Sequence, residues 1–236
     1  MKKKISIILI LLLSILLGIF LYFHCPKTIE KEPLQEIIPV VEKEETVNYE
    51  EIINNLKNTY NNPEIIAVIR IPNVLEEAIA QTSDNDYYLH YDLYKNQNIV
   101  GASFLDYRNK IREDKKLLIY GHSDPEGQLP FVKLTNYNKK EFLKENPYIY
   151  LLDKDGERKY EVFSSYIETS DFDYVNLNSF NGLSYKEHLE KLKKKSFVST
   201  KVSLEEDSRV LILQTCSFDS RIQAKTKYQI VVAKEI

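Results

Sequence analysis

The sequence predicts a mainly β domain that closes, or nearly closes, into a β-barrel, with one helix before the strands and another inserted between two late strands. Short apolar runs separated by turn residues continue from residue 63 to the end of the chain, a pattern typical of barrels. The 236 residues, 43% of them hydrophobic and 28% charged, suit one globular domain with a substantial core and additional N-terminal segments.

Residues 1–25 predict an uncleaved, single-pass membrane anchor. Three lysines precede an uncharged, proline-free run over residues 5–23, and a helix of that length spans roughly 29 Å, against about 30 Å for a bilayer core. Because lysines favour the cytoplasmic side, the rest of the chain is expected outside the cell. A cleaved signal peptide is the alternative, but its apolar region would be shorter, and a small-residue cleavage site is missing before Cys25.

A tether and two helices are predicted around the strands. Residues 26–48 mix Pro, Glu and Lys without a period, which indicates an extended, solvated tether and leaves residues 49–236 as the extracytoplasmic domain. Apolar residues at helical spacing predict a helix over residues 49–60, ended by an Asn-Asn-Pro sequence. An exposed amphipathic helix is predicted over residues 183–195.

The strands are predicted from short runs of apolar and aromatic residues bounded by turn residues. A helical turn is expected over residues 141–146. The predicted strands cover residues 65–71, 78–81, 99–105, 116–120, 148–152, 159–167, 210–214 and 229–233.

Two of these strands deliver a chemically reactive residue to their ends. Cys216 follows the last apolar strand but one, and His122 follows the strand over residues 116–120. A thiol and an imidazole held at strand ends suggest a Cys–His pair for nucleophilic catalysis. Taken singly, each residue also has an ordinary interpretation, because a lone cysteine is often a small buried hydrophobe and a histidine often lies in a turn. A disulfide between Cys25 and Cys216 is geometrically awkward, so both are predicted to be free.

The charge pattern argues against several classes of function. The formal net charge is −3 and no basic stripe is visible, so nucleic acid is not expected as a partner. The lysine-rich run over residues 191–195 suits the solvated end of the predicted helix. Gly-rich phosphate loops and metal-ligand spacings are missing from the sequence, which predicts neither a cofactor nor a metal.

Five short stretches, in this order, resemble class B sortases: SDNDYYL (83–89), FLDYRN (104–109), LIYGH (118–122), SDFDY (170–174) and LQTC (213–216). The resemblance covers about residues 52–236. It implies a sortase-type barrel in a membrane-anchored cysteine transpeptidase of the Gram-positive surface. Such an enzyme cuts a C-terminal sorting signal, here of an Asn-Pro-x-Thr type, from a secreted surface protein. It joins the new carboxyl end to an amine of peptidoglycan or of a pilin.

The resemblance also implies roles for individual residues. Cys216 matches the family nucleophile and His122 the family histidine, while Gln214, Thr215 and Tyr228 are expected to bind substrate. A thiolate can attack an amide carbonyl and form a thioester. An imidazolium can protonate the leaving amine and then, as imidazole, accept a proton from the incoming one.

The family's catalytic arginine is where this sequence departs from the pattern. The position at the start of the final strand holds Tyr228, with Lys227 beside it. We assign the role to Arg221, the arginine that follows the cysteine; Lys227 or Tyr228 as a substitute, or an impaired oxyanion site, are the alternatives. Arg108 and Arg112 are interpreted as surface residues of the loop before the histidine strand. Two alternative functions stay open: a thiol hydrolase without transfer, and a membrane-tethered binding module that has lost catalysis.

Overall fold

The computed structural model describes residues 47–236. The predicted anchor, including Cys25, and residues 26–46 of the predicted tether lie outside this range. Across the described range, no helix combines the length and the apolar character needed to cross a bilayer. The last two residues assigned to the tether belong to the folded part: Val47 packs against a hydrophobic cluster, and the Asn48 side chain accepts a hydrogen bond from Glu51 N at 3.1 Å.

Eight strands of the described residues close into a barrel, which confirms the predicted fold class. They are β1 (Ile65–Ile71), β2 (Leu75–Ala80), β3 (Phe104–Leu105), β4 (Lys116–Tyr120), β5 (Tyr148–Asp153), β6 (Gly156–Glu168), β7 (Val210–Cys216) and β8 (Tyr228–Glu235). Around the barrel they follow the order β1-β2-β3-β4-β7-β8-β6-β5, and β5 pairs with β1 to close it. The β2–β3 and β4–β7 pairs are parallel, and the other pairs are antiparallel.

Helices occupy the connections. The helix α1 (Tyr49–Tyr60) has the predicted bounds and ends at Asn61, which adopts a left-handed conformation. The inserted helix α4 (Tyr185–Lys194) lies between β6 and β7 as predicted, and it begins with a capping box between Ser184 and Glu187. The remaining helices are α2 (Tyr87–His90), α3 (Lys140–Glu145) and the 3₁₀ helices Pro130–Asn138 and Asp173–Val175.

The strand predicted over residues 99–105 is wrong for its first five residues, because β3 is confined to Phe104–Leu105. Gly101 has a left-handed φ of +55°, which breaks the extended chain. Ile99, two residues earlier, is 92% exposed rather than packed in the sheet. The apolar run over residues 99–105 therefore does not form one strand but divides into an exposed turn and a short strand.

The 3₁₀ helix Pro130–Asn138 was not predicted. It buries Phe131, Leu134 and Tyr137, three residues apart each time, in the hydrophobic cluster inside the barrel. A spacing of three matches the three residues per turn of a 3₁₀ helix, and it fits neither the strand period nor the α-helical period used to find elements. The ring of Phe131 occupies the place where a Cβ on Gly121 would stand, so this helix packs directly under the end of β4.

Alternate residues of β4, β7 and β8 point to opposite sides of the sheet. One set joins the interior cluster, and the other joins an outer cluster that is covered by the chain between β6 and β7. By this alternation, Cys216 and Tyr228 fall on the outer side, with Ile212 and Ile230. The covering chain contributes Tyr174, Leu189, Leu192 and Leu204.

Candidate active site

Parallel pairing of β4 with β7 brings His122 and Cys216 to the same end of the sheet. Tyr120 lies opposite Gln214, and Gly121 N donates to Gln214 O at 3.0 Å. His122 lies two positions after Tyr120, and Cys216 lies two positions after Gln214. Ser123 Oγ donates to the Cys216 carbonyl at 2.7 Å, so the two segments remain hydrogen-bonded beyond the last β4–β7 backbone pair. Neighbouring strands lie about 4.8 Å apart, so the backbone segments that carry His122 and Cys216 run side by side.

Cys216 is a free cysteine with an exposed side chain. The surrounding protein still desolvates the thiol enough to raise its pKa above the ordinary value of 9.0. Its partner in the antiparallel β7–β8 ladder is Tyr228. The nucleophile predicted from the sequence is therefore accessible, and its surroundings favour the neutral thiol over the thiolate.

His122 is enclosed on its Nε2 side. This atom is buried and has no hydrogen-bond partner among the described residues. A Cβ on Gly101 would lie 2.7 Å from His122 Nε2 and would overlap the carbonyl oxygen of Tyr88, so a residue with a side chain does not fit there. Burial lowers the pKa of His122 below its ordinary value of 6.5 and the nearby His90 lowers it further, while the backbone of Tyr88 opposes part of this shift.

These two shifts have a common consequence for the ionisation of the pair. A raised thiol pKa and a lowered imidazole pKa both favour the neutral thiol with the neutral imidazole. The nucleophilic form, a thiolate beside an imidazolium, is then a minor species of the free protein.

Gln214 and Thr215, the predicted substrate-binding residues before the cysteine, face different surroundings. Gln214 Oε1 accepts a hydrogen bond from the Tyr174 hydroxyl at 2.7 Å, which ties β7 to the covering chain. Thr215 is 2% exposed, and its hydroxyl has no partner among residues 47–236. In the ladder it lies opposite the buried Gln229, on the side of the sheet away from the Cys216 side chain.

The three candidates for the arginine's role occupy different places. The Arg221 side chain is 83% exposed and holds Asp219, with Nη2 to Oδ2 at 2.6 Å; this pairing lowers the pKa of Asp219 to about 2. Lys227 Nζ donates to the carbonyl oxygens of Asp219 and Ile222 within the same loop. Tyr228 is the one that lies directly opposite Cys216.

A buried carboxylate, not singled out from the sequence, supports the histidine strand. Asp106 is fully buried and accepts from the Tyr120 hydroxyl at 2.8 Å and from Arg108 through Nε and Nη2 at 2.8 and 2.7 Å. Arg108 also donates to the Val175 carbonyl at 3.2 Å, so it is an anchoring residue rather than a free surface residue. Arg112 pairs likewise with the buried Asp153. The Asp-x-Arg spacing in FLDYRN was the available signal.

Comparisons of the sequence with known proteins agree on one family. The sequence profile of the Sortase domain matches residues 69–236. Sortase B of Listeria monocytogenes is 33% identical over 144 residues, which is 60% of this chain and 58% of that protein, so the match spans less than two thirds of the relative. Sortase B of Staphylococcus aureus is 28% identical over 177 residues, covering 74% of this chain and 71% of that protein.

Solved structures give the same result for the fold. A crystal structure of sortase B complexed with triglycine superposes with a TM-score of 0.72 at 26% identity, covering 81% of this chain and 88% of that one. The Staphylococcus aureus sortase B–substrate complex gives 0.70 at 27% identity, with coverages of 79% and 85%. Clostridium perfringens sortase B gives 0.69 at 28% identity, with coverages of 78% and 98%.

Proposed function

Because this chain belongs to the sortase family, as a class B sortase, and because sortases are cysteine transpeptidases, we propose that it transfers secreted surface proteins to an amine. The substrate carries a C-terminal sorting signal of the Asn-Pro-x-Thr type. The acceptor is an amine of peptidoglycan or of a pilin. The observation that carries this proposal is the in-register delivery of His122 and Cys216 by the parallel β4–β7 pair.

The reaction needs two acyl transfers on one sulfur. The Cys216 proton passes to His122, and the thiolate attacks the scissile carbonyl carbon. The C–N bond breaks as the His122 imidazolium gives its proton to the leaving amine, and a thioester remains on Cys216. The acceptor amine then attacks the thioester, His122 takes its proton, and the Cys216 thiolate leaves with the new amide formed. The imidazolium finally returns the proton to sulfur.

The developing oxyanion needs a hydrogen-bond donor near Cys216. Tyr228 has this place in the ladder, which supports the alternative that the residue at the start of β8 substitutes for the family arginine. Arg221 would have to break its ion pair with Asp219 before it could donate to a substrate. We therefore assign the donor role to the Tyr228 hydroxyl and place Arg221 on the loop surface. Gln214, held by Tyr174, remains a candidate for binding the peptide backbone.

Incubation of the purified protein with an Asn-Pro-x-Thr peptide and triglycine tests the function. We expect a thioester adduct on Cys216 by mass spectrometry and a peptide–triglycine product whose yield rises with the amine concentration. A carboxylate product that does not respond to the amine would favour the hydrolase. The binding module predicts peptide binding without an adduct.

We also propose that residues 5–23 anchor the protein in the cell membrane, with the N-terminus in the cytoplasm and the catalytic domain outside. The support is the uncharged run behind three lysines. Native protein should fractionate with membranes and keep its N-terminal sequence. A mature N-terminus located after residue 23 would contradict the anchor.

A further inference from the structure

The end of the barrel away from Cys216 holds a cluster of charged side chains. Cys216 ends β7 and His122 follows β4, whereas β5 ends and β6 begins at the opposite end of the barrel. Asp153 ends β5, and Arg158 and Tyr160 lie on β6, two residues apart and therefore on one face of the strand. That face is the interior one, because Tyr160 belongs to the hydrophobic cluster inside the barrel.

Three guanidinium groups meet two carboxylates in this cluster. Asp153 accepts from Arg158 Nη2 at 3.0 Å and also pairs with Arg112, from the loop before β4. Glu235, at the end of β8, accepts from Arg209 Nε at 3.1 Å. Arg209 Nη2 donates in turn to the Arg112 carbonyl at 2.9 Å, which joins the two pairs. The side chains of the cluster therefore carry one more positive charge than negative charges.

Two polar atoms of the cluster are buried and have no hydrogen-bond partner within residues 47–236: Arg158 Nε and the Tyr160 hydroxyl. Arg158 is 7% exposed and Tyr160 is 1% exposed. The other Arg158 nitrogens are occupied, Nη1 by the Ile111 carbonyl at 2.8 Å and Nη2 by Asp153. Burial raises the pKa of Tyr160, which keeps its hydroxyl protonated. Both atoms are therefore hydrogen-bond donors, and a buried donor without an acceptor is costly.

The charges around the Tyr160 hydroxyl are those of the same cluster. Arg158, Glu235, Arg209 and Asp153 are the charged side chains that act on it. Each of the two carboxylates is already held by a guanidinium group. The unbalanced positive charge lies at the edge of an apolar interior, where it attracts a negative ion more strongly than it would in water. A group that accepts hydrogen bonds from both donors and carries one negative charge would complete the cluster.

We propose that this end of the barrel binds one small monovalent inorganic anion, such as chloride, between Arg158 Nε and the Tyr160 hydroxyl. The anion accepts both hydrogen bonds and balances the third guanidinium group. Arg112 and Arg209, whose side chains are 35% and 31% exposed, form the side of the cluster that is open to solvent. A water molecule would satisfy the donors but leave the charge unbalanced. The site shares no residue with the Cys216–His122 pair, so the inference goes beyond the proposed transpeptidase function and does not rest on it.

Thermal unfolding of the purified full-length chain at increasing chloride concentration tests the site. Gluconate, which is too large for two buried donors, replaces chloride so that the ionic strength stays constant. We expect Tm to rise by about 3–6 °C when chloride reaches about ten times its Kd. Tyr160→Phe removes one donor, and Arg158→Lys keeps the charge but removes Nε. Each should shift the response to chloride concentrations about tenfold higher, since a hydrogen bond to a charged group is lost.

Tyr166→Phe is the matched control. The Tyr166 hydroxyl is also buried and without a partner among the described residues, but it lies near the carboxylates Glu168, Asp171 and Asp173 rather than near arginines. Its chloride response should equal that of the unmodified protein.

A Tm that does not respond to chloride in the unmodified protein would overturn the anion site and indicate water at the two donors. A response that Tyr160→Phe and Tyr166→Phe keep or lose alike would overturn it as well, since salt would then act elsewhere. Tyr160→Phe decides the outcome if Arg158→Lys does not fold. Because peptide cleavage is not the readout, neither result bears on the proposed transpeptidase function.

Discussion

The two sides of Cys216 are built differently. On the β4 side, His122 is enclosed by the backbone of Gly101 and Tyr88, and the strand that delivers it is fixed by a buried carboxylate, Asp106. On the β8 side lies an open cleft with a strained aromatic residue at its wall. The difference teaches that the two strands beside β7 give Cys216 one enclosed neighbour and one open neighbour.

Removal of the residue shared by both sides should have the largest effect. Cys216→Ala should abolish peptide cleavage and thioester formation, because no other described side chain is a thiol. His122→Ala should lower kcat/KM by several orders of magnitude. Both are measured by peptide cleavage and mass spectrometry, with Cys25→Ser as a control that keeps full activity. More than a few per cent of residual activity in Cys216→Ala would exclude it as the nucleophile.

On the closed side, Gly101→Ala should lower kcat about 10²-fold, the cost of misplacing a reacting group by roughly 1 Å. The added methyl would stand 2.7 Å from His122 Nε2. Gly182→Ala is the matched control, since Gly182 also has a positive φ, +83°, but nothing lies within 4 Å of its would-be Cβ. It should show only the strain, as a small fall in Tm with kcat unchanged. Equal kcat values for the two variants would contradict close packing on His122.

At the boundary with the open side, Tyr228→Phe removes a donor and keeps the ring. We expect kcat to fall by about 10², because a lost oxyanion donor typically costs that much. Arg221→Ala should stay within about threefold of the unmodified protein, since its guanidinium is exposed and bound by Asp219. The opposite pattern, with Arg221→Ala slow and Tyr228→Phe normal, would return the arginine's role to Arg221.

The smallest expected effect is that of pH, since activity should change little near neutral pH. The dependence of kcat/KM on pH probes the ionisation of Cys216 and His122. Catalysis requires one proton shared by Cys216 and His122, so kcat/KM should be bell-shaped. Activity is lost below the lowered pKa of His122, where the imidazole becomes protonated. Activity is also lost above the raised pKa of Cys216, where the thiol loses its proton. The acid limb should therefore fall below pH 6.5 and the alkaline limb above pH 9.0. A narrower bell inside those limits would contradict the lowered pKa of His122 or the raised pKa of Cys216.

Much of this arrangement follows from the sequence, because local pattern and tertiary structure agree there. The helix α1 and the strands β1 and β4 have their predicted bounds, since strong periodicity is closed by turn residues at each end. Cys216 and His122 could be singled out because each follows an apolar strand. Their proximity rests on a parallel β4–β7 pairing that no local pattern encodes.

The parts that escaped prediction depend on contacts between distant segments. In the sequence Gly101 is one more residue of an apolar run. Its close approach to His122 Nε2 depends on the folded structure. Phe172 is left-handed and lies between Asp171 and Asp173, which pair with Lys191 of α4 and with Lys195 just after it, some twenty residues away. Residue type alone predicts the opposite conformation for a phenylalanine.

The parallel β4–β7 pair also has a consequence for how the molecule acquires its activity. The residues that meet at Ser123 and Cys216 are 93 positions apart in the sequence, and β5, β6 and α4 lie between them. Pairings over such separations form late, because the entropy of closing the loop must be met before the contact contributes. An incompletely folded chain thus carries Cys216 without His122 beside it. We therefore expect His122 and Cys216 to come together only when the barrel closes.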